Sequence, residues 1–205
     1  MKVLLYVIIR GLLNPSFSSF WYYYVTKIKE FSQFFIGMMS MLGYVALLTG
    51  SILYQVVFAK REFRTVMILE NMLSTFGGLL GVVFILDLHK KIGLSDEVYY
   101  AIQSMFLEAL SMSFFDLPIM VLFAKITPKN IEGTVFALLT GLINLGSGVL
   151  SPLTGSIIDD LFVHVTRENL TNDNMVILAW IETVMALLPN LFILLIPTRK
   201  MVLEL

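Results

Sequence analysis

Six long apolar stretches, each followed by a short charged or glycine- and proline-bearing turn, constrain this 205-residue chain more than any other feature. They run over about 3–24, 34–58, 66–86, 99–124, 134–158 and 175–196. A bilayer core about 30 Å thick needs roughly 20 apolar residues in a helix. Each stretch meets that length. Lipid offers no partner for open backbone groups, and the stretches lack the alternation of barrel strands, so helices are the reading. The expected fold is all-α: one domain over 1–205, an integral, multi-pass membrane bundle of six helices.

Composition agrees, with 58% hydrophobic and 14% charged residues, against roughly 25% charged in soluble domains. A net charge of −1 with scattered cations excludes a nucleic-acid footprint. The absence of cysteine removes disulfides, thiolate metal sites and a cysteine nucleophile. His89 and His164 fall near loops without metal-ligand spacing, and no Gly-x-Ser-x-Gly, His-Glu-x-x-His or phosphate-loop motif occurs. No enzyme, metal or cofactor is expected.

Sorting cations by side sets Lys2, Lys60, Arg61, Arg64, Lys125, Lys129, Arg199 and Lys200 with the termini, against Lys27, Lys29, Lys90, Lys91 and Arg167 opposite. The positive-inside rule then turns both termini toward the cytoplasm or its organellar equivalent. Asn169-Leu170-Thr171 is a glycosylation sequon on the opposite side. Gly141, Asn144, Gly148, Ser151 and Gly155 make a narrow face along the fifth helix, and Ser74, Gly77, Gly78 and Gly81 make another on the third, where backbones can approach closely.

Ionisable groups inside spans are costly and are functional candidates. They are Arg10, Glu70, Glu108, Asp116 and Glu182. At about 1.5 Å per residue, Arg10 lies roughly 12 Å from the terminal side and Asp116 roughly 13 Å, with Glu108 roughly 25 Å in. An Arg10–Asp116 ion pair is therefore expected, serving either structure or exchange of Asp116 for an anionic substrate. Ser104, Glu108, Ser111 and Phe115 form one stripe on the fourth helix, with Asp116 about 80° away. Glu70 is read as reaching the interface or pairing with Arg64, and Glu182 as part of scaffold. Pro15, Pro118 and Pro189 are expected to kink their helices.

The fourth and fifth stretches are joined through Asp116-Leu117-Pro118, Thr127-Pro128 and Glu132-Gly133-Thr134-Val135-Phe136-Ala137-Leu138-Leu139. With Asn14-Pro15-Ser16-Phe17, Glu108-Ala109-Leu110, and Asn144 and Gly146, this pattern resembles the folate-biopterin transporter branch of the major facilitator superfamily. Lys60-Arg61-Glu62-Phe63-Arg64 stands where the superfamily carries its Gly-x-x-x-Asp-Arg loop, with Tyr54 in the acid's place. The resemblance covers nearly the whole chain but only the C-terminal six-helix half of such a carrier. It implies half of a secondary transporter that moves folate- or pterin-like or other small organic anions by alternating access. The alternative is a non-transporting structural subunit of a larger membrane complex. Either way the partners are the lipid bilayer and an N-terminal half or other membrane subunits. By resemblance Arg10, Glu108 and Asp116 line the substrate and proton path, and Pro15, Pro118, Glu132, Gly133 and Asn144 serve as structural or hinge positions.

Overall fold

The computed structural model describes residues 2–127 and 131–203, without the side chains of 106, 108–113, 132 and 203. Among the described residues every regular element is helical. Helix α1 (Lys2–Leu13) and α2 (Ser18–Tyr23) form one bent stretch that ends in a π-helical turn at Tyr24–Ile28. Next come α3 (Gln33–Leu53), extended by a π-turn to Phe58, and α4 (Phe63–Ile85). Helices α5 (Asp96–Phe114) and α6 (Asp116–Ile126) follow one another with a break at Phe115. Helices α7 (Glu132–Leu145) and α8 (Ser151–Ile158) join through a π-turn at Gly146–Leu150. Helix α9 (Asn172–Met185) leads into a 3₁₀ stretch at Leu188–Leu195 and the short α10 (Arg199–Leu203).

Four of these stretches, Gln33–Phe58, Phe63–Ile85, Gly133–Val163 and Asn172–Leu195, are long and apolar enough to cross a bilayer, and the bent pair Lys2–Leu13 with Ser18–Ile28 makes a fifth. This is a multi-pass membrane bundle. The α1–α2 bend is 44° and falls at Asn14–Phe17, around Pro15, which cannot donate a helix hydrogen bond. Pro189 sits where α9 gives way to the tighter 3₁₀ stretch. Pro118 lies in the first turn of α6, just past the Phe115 break, where its missing N–H costs least.

Helix α3 packs on α5, α4 packs between α5 and α9, and α1 packs against the α7–α8 stretch and the 3₁₀ stretch. The buried face of α4 carries Phe63, Met67, Glu70, Gly77, Gly81 and Ile85 at three-, four- and seven-residue steps. The small face of the fifth stretch differs from the expected one. Gly146 and Ser151 meet α1 and Gly155 meets Ser16 in the bend after it, whereas a Cβ added at Gly141 or Gly148 would touch nothing within 4 Å, and Asn144 is exposed. The reason is the π-turn: the extra residue between Gly146 and Ser151 rotates the following helix, so a stripe counted at regular helical steps drifts off the contact. At the contact itself, a Cβ on Gly11 would stand 2.7 Å from Gly146 Cα. Ser151 Oγ donates to the Gly11 carbonyl at 3.1 Å, and Ser16 N donates to the Ser151 carbonyl at 3.0 Å.

Two apolar clusters close the bundle at its ends. One gathers Phe17, Tyr24, Phe31, Phe84, Tyr99 and Met175. The other gathers Tyr6, Phe63, Met67, Phe115, Ile119 and Ile196. Between them α1, α4 and α9 bring polar residues to the middle of the bundle. The outer face of α3 leaves Phe34, Met41, Tyr44, Leu48, Ile52 and Val56 exposed, as a helix facing acyl chains or a neighbouring bundle requires.

At the end carrying the C-terminal helix, Arg199 donates to the Ala59 carbonyl at 3.0 Å, and Glu62 accepts from Arg199 N at 2.8 Å. The Lys60–Arg64 turn and α10 therefore share one end. At the opposite end Asp87 ends α4 in the left-handed region, at φ 55°. Its carboxylate accepts from Lys29 at 2.6 Å and Lys90 at 2.9 Å, and Asp96 accepts from Lys90 at 3.1 Å. Asp87, His89 and Asp96 hold ligand atoms within 4.8 Å of one another, a grouping their spacing along the chain does not announce. Lysine ammonium groups already stand on these carboxylates. The sequon Asn169 is engaged too: its side chain accepts from Thr166 N at 2.6 Å and donates to the His164 carbonyl at 2.9 Å.

Partial burial works against the Asp87 anion, but hydrogen bonds from Lys29 and Lys90 outweigh it and hold the carboxyl below its ordinary value. Hydrogen bonds to Asp87 and Asp96 raise Lys90. A carboxyl depressed in the folded state stabilises above its unfolded pKa and loses that contribution as pH falls through the folded value. A raised lysine stabilises below its ordinary value and loses its share as pH rises past it. Melting of the detergent-solubilised protein should therefore soften on both the acid side and the alkaline side. Asp87→Asn should flatten the acid limb, and an unchanged acid limb in that variant would exclude this cluster as its source.

Candidate functional site

Arg10 sits in the last turn of α1, one residue before the glycine at which α1 meets the π-turn. Its Nη2 donates to Glu70 Oε1 at 2.6 Å, and its guanidinium lies 3.6 Å from the centre of the Phe115 ring. Glu70 is 1% exposed and Arg10 15%. The expected Arg10–Asp116 pair is thus replaced by Arg10–Glu70, and Glu70 neither reaches the interface nor pairs with Arg64. Arg64 instead donates to the carbonyls of Ile196 at 2.7 Å and Leu194 at 3.3 Å. Glu70 lies at nearly the depth of Arg10 and on the face that also carries Gly77 and Gly81, seven and eleven residues on. That shared phase with the small residues was the available signal for an inward-facing acid.

Asp116 opens α6 just past the break, where the free N–H groups of a helix start favour a carboxylate. It is half-buried, within electrostatic reach of Arg10, and in no ion pair among the described residues. Glu108 lies on α5 and Glu132 at the start of α7, and both side chains fall outside the described residues. Gly133 is open, with nothing within 4 Å of an added Cβ. Residues 128–130, with Pro128 of the Thr127-Pro128 step, lie outside the described residues.

Two cavities lie between the apolar ends. The larger, about 360 Å³, is bordered by Trp21, Glu70, the Gly77–Gly81 face of α4, Gln103 and Ser104 of α5, and Glu182 and Thr183 of α9. The smaller, about 240 Å³, holds Arg10, Pro15, Phe115, Ser147 and Ser151. Asn14, Ser74 and Glu182 border both, so the two meet at one polar junction. Asp116 borders neither. Glu182, read from sequence as scaffold, accepts from Trp21 Nε1 at 3.1 Å and stands at that junction. Trp21 reaches it because the bend at Pro15 redirects α2 toward α4 and α9. Beneath, Asn71 Nδ2 donates to Asn190 Oδ1 at 2.7 Å and closes the polar layer.

Among the described residues four buried side-chain polar atoms have no hydrogen-bond partner: Arg10 Nε, Glu70 Oε2, Gln103 Oε1 and His89 Nδ1. The first three belong to residues bordering the cavities. Buried polar groups are nearly always satisfied, by protein, water or ligand. The arrangement therefore has the chemistry of a small-molecule site: a deep guanidinium at one end, carboxylate and amide oxygens beside an indole at the other, and a volume in the range of such pockets, roughly 300–1,000 Å³.

A family model described as the BT1 family matches residues 1–204. The chain is 32% identical to a folate-biopterin transporter of Synechocystis over 90% of the chain and 36% of that relative. It is 27% identical to the probable folate-biopterin transporter 2 of Arabidopsis thaliana over 94% of the chain and 38% of the relative. Folate transporter 1 of Plasmodium falciparum is 24% identical over 91% of the chain and 36% of its own length. The chain thus spans well under half the length of the curated relatives it matches. No solved structure matches.

Proposed function

This chain belongs to the BT1 family, and on that premise we propose that it forms one six-span half of a secondary transporter for folate- or pterin-like organic anions. The observation that carries the reading is the pair of joined cavities between two apolar ends, with the Arg10–Glu70 ion pair at their margin, in a chain matched by the family over 1–204. The named relatives are called transporters, which favours carriage over a purely structural subunit. In this reading α5–α6 completes the sixth span, both termini face one side, and further spans close the pathway opposite. Those spans belong to the same polypeptide or to another. Two facing bundles around a site at mid-depth are the usual architecture of alternating access.

Arg10 is the ligand for the substrate's anionic group. In the empty site Glu70 neutralises it, since an isolated cation at that depth is costly. An incoming carboxylate takes the guanidinium's remaining donors while Phe115 holds its plane. We assign Glu108 to proton coupling or substrate contact, and Asp116, which borders neither cavity but lies within electrostatic reach of Arg10, to proton coupling. The bends at Pro15 and Phe115 let parts of α1–α2 and α5–α6 move separately.

The test is uptake of labelled folic acid by proteoliposomes holding this chain together with the amino-terminal spans of the Synechocystis relative. Uptake above protein-free vesicles is expected. Arg10→Lys should lower it about tenfold or more with folding intact, because an ammonium cannot reproduce a two-pronged contact worth roughly 1.5–3 kcal/mol per charge-assisted bond. Absence of uptake of both folic acid and biopterin would remove the proposal.

A further inference from the structure

The two cavities differ in chemistry, and the difference has a direction. At the larger one the buried atoms without partners among the described residues are acceptors, Glu70 Oε2 and Gln103 Oε1, and Glu182 commits one oxygen to Trp21. At the smaller one, which Glu182 also borders at the junction, the buried atom without a partner among the described residues is a donor, Arg10 Nε. The acceptor end also has flat walls. Trp21 is fixed in orientation by its bond to Glu182 and lies against Gly81, and Tyr100 lines the same cavity. Gly77 and Gly78 let Leu107 and Thr183 pack directly onto α4 beside this cavity, where added Cβ atoms would collide with them.

Building on the transporter reading, we infer that Glu182 and Gln103 recognise the N–H-bearing edge of a flat, amino-substituted heterocycle lying against Trp21, with the ligand's anionic end toward Arg10. Glu182 and Gln103 are specificity-determining residues in this arrangement. A carboxylate facing two adjacent N–H groups makes the two-pronged contact that distinguishes an amino-heterocycle from a ring lacking those donors, which would leave the acceptors buried and unpaired. The order of the groups fixes the orientation. Reversal would set the ligand's anion among Glu70, Glu182 and Gln103 oxygens and leave Arg10 facing the ring. A metal ion is a poorer occupant, because the Arg10 guanidinium already neutralises Glu70 and an indole wall supplies no ligand atom.

The chain has two tryptophans, and Trp180 is 45% exposed on the outer face of α9. Trp180→Phe therefore leaves Trp21 as the only indole reporter. With that protein in lipid nanodiscs, three probes separate the ends: biopterin, which has the ring and no carboxylate; p-aminobenzoylglutamate, which has the anionic tail and no pterin; and guanidinium chloride at non-denaturing millimolar concentration. Biopterin should bind and quench Trp21. Glu182→Gln and, independently, Gln103→Leu should each weaken biopterin at least tenfold while p-aminobenzoylglutamate changes by less than twofold. Arg10→Lys should show the opposite pattern. Unchanged melting of the variants guards against misfolding, and Gln103→Leu stands as the second arm if Glu182→Gln does not fold. Biopterin affinity indifferent to both substitutions would overturn the inference even if folic acid is still taken up. Quenching by guanidinium but not by biopterin would overturn it in favour of a simple cation site. Failure of all organic probes to bind, together with absent uptake, would remove the transporter reading as well.

Discussion

Arg10→Ala is expected to be among the most damaging single substitutions in the chain. It leaves Glu70, 1% exposed, as an uncompensated carboxylate in the middle of the bundle and strips the cation from the Phe115 ring. Removing one member of a buried ion pair costs about 3–5 kcal/mol, whereas replacing both by well-packed apolar residues is often neutral. Arg10→Met combined with Glu70→Leu should accordingly recover most of the lost stability. The asymmetry is also specific: Glu70→Ala should cost less than Arg10→Ala, because Arg10 is 15% exposed against 1% for Glu70 and keeps its contact with Phe115. Unfolding by SDS from mixed micelles measures all four corners of the cycle. Additivity of the two alanine substitutions within about 0.5 kcal/mol would show that the pair is not coupled and would sink the assignment.

The second large effect concerns the seam between α1 and the α7–α8 stretch. Gly11→Ala places a methyl 2.7 Å from a backbone Cα, and Gly155→Ala places one against the Ser16 carbonyl oxygen. Neither neighbour is a side chain able to swing away, so the helices must separate and lose the Ser151–Gly11 hydrogen bond as well. Each substitution should cost about 1–3 kcal/mol, the usual range for overpacking, and should collapse uptake because α1 carries Arg10. Gly141→Ala and Gly148→Ala, which meet nothing within 4 Å, should be neutral or stabilising by up to about 1 kcal/mol, since alanine costs less helix entropy than glycine. The same SDS titration reads both sets. Equal losses at all four glycines would mean that the seam follows simple helical steps and that the π-turn does not set its phase.

The breaks in the first and last helical stretches were legible because single residues carry them. Proline lacks the N–H that a helix interior needs, so Pro15 and Pro189 mark their own breaks, and the run of apolar residues between charged turns states how long each helix must be. Membership of the family was also legible, since Asp116-Leu117-Pro118 and Glu132-Gly133-Thr134 are local strings. Depth could be counted from the helical rise, which is why Arg10 was expected to meet an acid at its own level.

Which acid it meets was decided only by the tertiary structure. Depth leaves the rotation of each helix about its axis open, and that rotation follows from how α4 nests between α5 and α9. The outcome turns Glu70 inward onto Arg10 and leaves Asp116 at a helix start, in no ion pair among the described residues. The same holds for Glu182, whose partner Trp21 is 161 residues away and is brought across by the bend at Pro15. The π-turn at Gly146–Leu150 is the least legible element of all. No residue type encodes an added backbone residue within a helix, yet it rotates everything after it and so selects which small residues touch α1. Local chemistry thus determined the helices, their breaks and their depth. Helix phase, and with it the partners of every buried charge, came from packing, because phase is a property of the pair of helices in contact and not of either sequence alone.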